Sequence, residues 1–258
     1  MYVDLGAECL VAAEKAGQRI AVEVIGASMP QPGLHAVLAL ATRKTFSKQH
    51  WFALGLTFGA LIPDADSYPQ AFAILVNKMD PDMAEAIYHR TLTHSLFFAF
   101  AVALAFYLAS LVRGSQTLRT FGLGVAAGIA MLHILPDTLA WFDGVGVLWP
   151  LWSINLWSWL VLPEIVGKLL RAGDFFAFAV YFTYLRIVAQ RTNTDTDYLP
   201  RLRSYTIVQL GLGAIFTALA FILPAKNYNT PDGAVFLFFA YPNALWITWR
   251  MKQTIEGG

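Results

Sequence analysis

An all-α, polytopic bundle of about six or seven transmembrane helices is the fold class this sequence predicts, and three observations predict it. The 258 residues are 57% hydrophobic and only 14% charged, against about 25% charged in an ordinary soluble domain. Apolar runs of roughly 17 to 24 residues recur along the whole chain, each long enough to cross a hydrocarbon core about 30 Å thick. Eight Trp and ten Tyr fit the aromatic enrichment expected at headgroup level. A soluble globule with one hidden core helix would show one such run. No repeat and no long linker divides the chain, so residues 1–258 read as a single membrane domain. It opens with an amphipathic segment over 1–32, gathers its candidate site residues over 33–150 and adds further membrane helices over 151–258.

Taken in order, residues 1–30 alternate small apolar residues with Glu8, Glu14, Lys15, Arg19 and Glu23, the pattern of a helix lying on a membrane or packed on a bundle. This stretch lacks the basic and unbroken apolar regions of a cleavable signal peptide, so insertion is expected to rely on internal spans. A short apolar stretch, 34–41, leads to a basic loop with Arg43, Lys44 and Lys48. The run 51–62 then stops at Pro63-Asp64-Ala65-Asp66. Residues 67–92 are polar and read as extramembrane. The runs 96–112 and 121–139 are clear spans, and Gly122, Gly124 and Gly128 in the second supply small-residue spacing for close helix approach in lipid. Further candidate spans are 147–166, 175–187, 207–223 and 234–249, of which 175–187 is short, flanked by basic residues, and reads as re-entrant or tilted. Arg43, Lys44, Lys48, Arg113 and Arg119 orient the first half with its basic loops in the cytoplasm.

Charge and cysteine content narrow the chemistry. A formal net charge of +1 gives no basic surface for nucleic acid. The single cysteine, Cys9, excludes an intramolecular disulfide and any cysteine-based zinc or iron–sulfur site, so metal ligands would be His and carboxylate. In the orientation above, Asp64 and Asp66, His89 and His94, and His133 and Asp137 converge on one non-cytoplasmic face. Ionisable residues at such depths face a cavity, a partner or an ion. His89 and His94 are five apart, about 140° around a helix, and converge if a helix begins between them, with Thr93 as N-cap. His133 and Asp137, at i and i+4, share a helical face and can chelate one ion, or Asp137 can orient the His133 ring. Pro136 between them is expected to kink the helix. Blander readings stand beside these: a solvated turn for Pro-Asp-Ala-Asp, interfacial histidines, and a His133 that only bonds a neighbouring helix.

Read together, Gly33-Leu34-His35, the stretch from Gly59 to Asp66 ending Pro-Asp-Ala-Asp, His89-Arg90-Thr91-Leu92-Thr93-His94-Ser95, His133-Ile134-Leu135-Pro136-Asp137 and Gly146-Val147-Leu148-Trp149-Pro150 form an ordered series over roughly residues 33–150. In motif and order they resemble the membrane-bound metal-dependent hydrolases that include the LexA-regulated inner-membrane hydrolases of bacteria. The resemblance implies an inner-membrane enzyme using one or more divalent metals, zinc by ligand type, with ligands like those of zinc-dependent phospholipase C enzymes. It implies Asp64 and Asp66 as bridging carboxylates, with His35, His89, His94, His133 and Asp137 completing the shells. Asp66 and Arg90 are then the catalytic residues, Arg90 stabilising a developing anion. The lipid bilayer is the surrounding partner, and a lipid or other amphiphilic ester or phosphodiester is the implied substrate. Two rivals are a non-catalytic membrane subunit, whose histidines hold a pigment or haem or knit helices together, and a transporter with a His/Asp relay. Haem ligation needs one His facing a large apolar cleft rather than His with carboxylates, and the absence of an internal repeat weighs against a transporter.

Overall fold

The computed structural model describes residues 31–46, 50–140, 142, 144–160 and 162–257. The amphipathic helix expected over residues 1–30 lies outside them. The chain enters α1 (Pro32–Thr42) with a proline in the first turn, where the missing N–H costs nothing. The Gly33 N–H at that end donates to Asp174 Oδ1 at 2.9 Å. Helix α2 (Phe52–Leu61) is capped from the far end of the chain. The N–H groups of Trp51 and Leu54 both donate to the Glu256 carboxylate, Leu54 at 2.6 Å. A 3₁₀ turn, Ile62–Asp66, follows with Pro63 at its start. The polar stretch after it folds as two short helices, α3 (Ser67–Leu75) and α4 (Pro81–Tyr88).

The long helices come next. In α5 (Leu96–Arg113) the N-cap is Ser95, whose Oγ accepts from Phe98 N at 3.1 Å. The expected cap at Thr93 is therefore displaced by two residues, and both His89 and His94 precede the helix instead of straddling its start. Thr93 turns its hydroxyl to Asp66. Helix α6 (Gln116–Ala127) runs without a break through a π-helical segment, Gly128–Ile134, into α7 (Leu135–Ala140). Strands β1 (Val145–Leu148) and β2 (Trp152–Ile154) pair antiparallel. The C-terminal half comprises α8 (Glu164–Thr192), α9 (Leu199–Ile222), α10 (Ala225–Val235), a second π segment (Phe236–Ala240), α11 (Tyr241–Arg250) and α12 (Lys252–Glu256).

Four helical stretches among the described residues are long and apolar enough to cross a membrane: Leu96–Arg113, Gln116–Ala140, Glu164–Thr192 and Thr196–Ile222. The all-α membrane bundle expected from composition is the fold observed, but with four membrane-length stretches among the described residues where six or seven spans were expected. Four apolar runs take other forms, of which 234–249 is divided between a π segment and the ten-residue α11. Run 51–62 folds as a helix of ten residues, only about 15 Å long at 1.5 Å per residue, and its Leu54, Leu56, Ala60 and Leu61 are buried in protein. Run 147–166 is not a helix over most of its length, because it contains the end of β1, β2 and a series of turns. Run 175–187 is the middle of the 29-residue α8. Its flanking charges are absorbed inside the bundle: Lys168 Nζ donates to Leu223 O at 2.7 Å, and Asp174 caps α1.

Of the glycines foreseen for close approach, Gly124 and Gly128 do that work where α2 crosses α6, while Gly122 faces Phe106 of α5. A Cβ on Gly128 would lie 2.2 Å from Leu56 O, and one on Gly59, a glycine of α2 not foreseen for this role, would lie 2.0 Å from Val125 O. Any side chain at these positions would push the two backbones apart, so this crossing fixes α2 and its 3₁₀ extension against the π segment.

Candidate metal centre

Four pieces of chain meet at one end of this crossing. The 3₁₀ turn brings Asp64 and Asp66, the irregular loop before α5 brings His89, Arg90 and His94, the π segment and α7 bring His133 and Asp137, and α1 brings His35. Every candidate ligand foreseen in the sequence is here, and none of the seven is more than 9% exposed. Three ring-to-ring contacts link the histidines, with centroids 4.2 Å apart for His35 and His133, 4.7 Å for His94 and His133, and 5.6 Å for His89 and His94.

The hydrogen bonds decide how the rings face. His35 Nδ1 lies 2.8 Å from Leu132 O, and His133 Nδ1 lies 2.8 Å from Ala60 O. A carbonyl oxygen only accepts, so both Nδ1 atoms carry the proton. His89 Nδ1 and His94 Nδ1 lie 2.9 and 3.1 Å from the two oxygens of Asp66, which as a carboxylate also only accepts. Each of the four rings, when neutral, then presents Nε2 as a lone pair. His94 Nε2 and His133 Nε2 are 2.9 Å apart, and His35 Nε2 is 3.0 Å from Asp137 Oδ1. Asp137 Oδ2 stands 3.6 Å from Nε2 of both His94 and His133, and Asp64 Oδ1 stands 3.8 and 3.7 Å from the same two atoms.

Acceptors that face acceptors in a buried space repel unless a cation or proton lies among them. Two donor atoms each about 2.0–2.1 Å from a tetrahedral zinc are separated by roughly 3.3 Å, and the observed 2.9 to 3.8 Å brackets that value. Two overlapping groups of three, His35–His133–Asp137 and Asp64–His94–His133, are compact enough to hold an ion. Electrostatics agrees at the residues outside the long helices. Burial, followed by the charges of Asp137 and Asp66, pushes the Asp64 carboxyl well above the usual range, so an ionised Asp64 needs a cation beside it. Burial lowers His94, which favours its neutral ring. Burial would also raise Asp66, but His89 and His94 beside it outweigh this and hold it well below the ordinary value.

A scan against family models places the chain. The YdjM inner membrane protein model matches residues 32–196, well over half of the sequence. The chain belongs to the YdjM inner membrane protein family. That match contains all seven candidate ligands and Arg90, ends just after α8, and leaves α9 to α12 outside it. The family description names the inner membrane, in keeping with the four apolar helices, and says nothing of hydrolysis or metal. No curated protein and no solved structure matches the chain.

Within the YdjM-family region, Asp66 and His89 fall outside both compact groups. Asp66 Oδ1 accepts from His89, and Oδ2 accepts from Arg90 N at 3.0 Å, Thr93 Oγ1 at 2.9 Å and His94 Nδ1. Buried Arg90 has a left-handed φ of 54° and also accepts a bond from Gly146 N at 3.0 Å; its charge acts on Asp64. Sequence reasoning passed over Thr93 as a partner of Asp66, and Asp174 as the cap that seats the helix bearing His35. It had no means of finding the carbonyls of Ala60 and Leu132, because a backbone oxygen leaves no residue signature.

Proposed function

We propose that this protein is a membrane-bound, metal-dependent hydrolase whose site holds one or two divalent ions, zinc by ligand type, and acts on a phosphoester or ester of an amphiphilic molecule. One observation carries the reading: four buried histidines each bind an oxygen through Nδ1, and three of their four Nε2 atoms converge on Asp64 and Asp137. Metal-binding histidines are held in this way, by a carbonyl or carboxylate at the far ring nitrogen. A resident divalent ion would supply Lewis acidity and make water a usable nucleophile near neutral pH.

The chain's own residues divide the remaining work. His35, His94, His133, Asp64 and Asp137 form the ligand set. Asp66, first read as a bridging ligand, acts instead by aiming His89 and His94, since its oxygens are engaged by four donors. His89 Nε2 is buried without a hydrogen-bond partner and is the fourth ring available to a second ion or to a reacting group. Arg90, held by backbone bonds on both its N–H and its carbonyl, places a cation near Asp64, where charge develops on a phosphoryl or acyl oxygen. In the orientation set by the basic loops the site opens on the non-cytoplasmic side.

Elemental analysis of the detergent-purified protein tests this before any substrate is chosen. Stoichiometric zinc, manganese or iron in the wild type, absent from the His94→Ala, His133→Ala double variant, is the expected result. A folded wild type that takes up no divalent metal even after incubation with each ion ends the hydrolase reading.

A further inference from the structure

We propose that segment 144–160 is an interfacial anchor that lies in the lipid headgroup layer at the face of the membrane where the His/Asp cluster sits. From residue 144 to residue 163 the chain has no Asp, Glu, Lys or Arg, and by hydropathy alone it reads as a span. It does not fold as one: β1 and β2 form a short hairpin, and turns occupy 156–159. Its large apolar side chains point outward, with Leu151 77% and Trp159 71% exposed and Trp152 more than half exposed.

Two physical requirements leave one place for such a segment. Turns carry backbone N–H and C=O groups without intrachain partners, and these cannot sit in hydrocarbon. A cluster of exposed Trp and Leu in bulk water is an apolar patch that a stable surface avoids. The headgroup layer satisfies both, and it is where Trp concentrates in membrane proteins. The attachments of the segment set its depth. Gly146 N donates to Arg90 O, in the loop that carries His89 and His94 and leads into α5, and Trp157 Nε1 donates to Leu139 O at 2.9 Å, in the last turn of α7. The hairpin is thus tied to the loop entering one membrane-length helix and to the end of another, on the side of each that holds site residues. It holds the cluster's end of these helices at headgroup depth, and it does so whether or not an ion is bound.

Depth-dependent quenching tests the assignment. In a Cys9→Ser background, Trp159→Cys and, separately, Leu151→Cys are labelled with an environment-sensitive fluorophore and reconstituted in phosphatidylcholine–phosphatidylglycerol vesicles. Both positions point away from the protein, so neither change removes core packing. The expected result is quenching by lipids with a nitroxide on the headgroup or high on the acyl chain, at least several-fold stronger than by nitroxide deep in the chain or by aqueous iodide. Strong iodide quenching without lipid quenching would make the segment a water-facing loop. Protection from both quenchers would mean that a second protein surface covers it. Strongest quenching by the deep nitroxide would mean that the segment enters the hydrocarbon. Each of these three outcomes overturns the proposal.

Discussion

Where α2 crosses α6, backbone meets backbone. Gly55 and Gly59 on one helix face Phe121, Val125 and Gly128 on the other with no room for a side chain. In the C-terminal half the helices are instead held apart by rings: Phe175 stacks on Phe216 with centroids 5.2 Å apart, Phe216 meets Tyr228 edge-on at 5.8 Å, and Tyr181 donates to or accepts from Thr248 at 2.7 Å. The first kind of contact tolerates no adjustment and carries polar side chains at its end. The second is a broad aromatic core that can relax around a change. The His/Asp cluster is built on the first kind, where close backbone contact holds each ring in place.

The sharpest way to break this contrast is Gly59→Leu, whose Cβ would already fall 2.0 Å from Val125 O. No folded, monodisperse protein is expected in detergent gel filtration. Phe216→Ala, in the aromatic half, is expected to cost about 3 kcal/mol in thermal or denaturant unfolding, yet to leave metal content at the wild-type level. If Phe216→Ala lost metal while Gly59→Leu folded, the division between the halves would be wrong. Within the cluster, Asp66→Asn keeps the shape but weakens the hold on His89 and His94. It is expected to lower metal affinity about 10- to 100-fold in chelator competition, whereas Asp64→Asn lowers it further. Equal effects of the two would remove the distinction between a ligand and a residue that aims ligands. The smallest effect is at Glu256, which joins the halves by capping α2 from the chain's far end. Glu256→Gln is expected to cost about 1 kcal/mol in unfolding with no change in bound metal.

Much of the cluster was legible because its residue types are costly in lipid and rare in this chain. Pro-Asp-Ala-Asp, the two histidines around Arg90, and the His133/Asp137 pair lie at the ends of apolar runs, and alternating runs return such ends to one face. His35 was legible only through the resemblance, since a lone His in an apolar stretch has several innocent explanations. The fold was less legible where hydropathy carries two meanings. Residues 144–163 are apolar enough to span, but Gly144, with φ of 87°, and the prolines at 150 and 163 break a helix there. Lys168, Arg171 and Asp174 suggested that a span began only at residue 175, because charges normally mark the edge of a membrane. Here they are buried among partners in the bundle, and α8 runs through them.

The π-helical segment Gly128–Ile134 inserts the equivalent of one extra residue into an otherwise α-helical stretch. Deleting a residue from it, Ala130 for instance, would restore ordinary winding and swing everything downstream by about 100°. His133 and Asp137 would then both turn off the bearing they share with His35 and His94, while the hydropathy of the span would barely change. The alignment of a whole polar centre therefore depends on a single unit of chain length, and a one-codon indel would disturb it more completely than the loss of any one of its side chains.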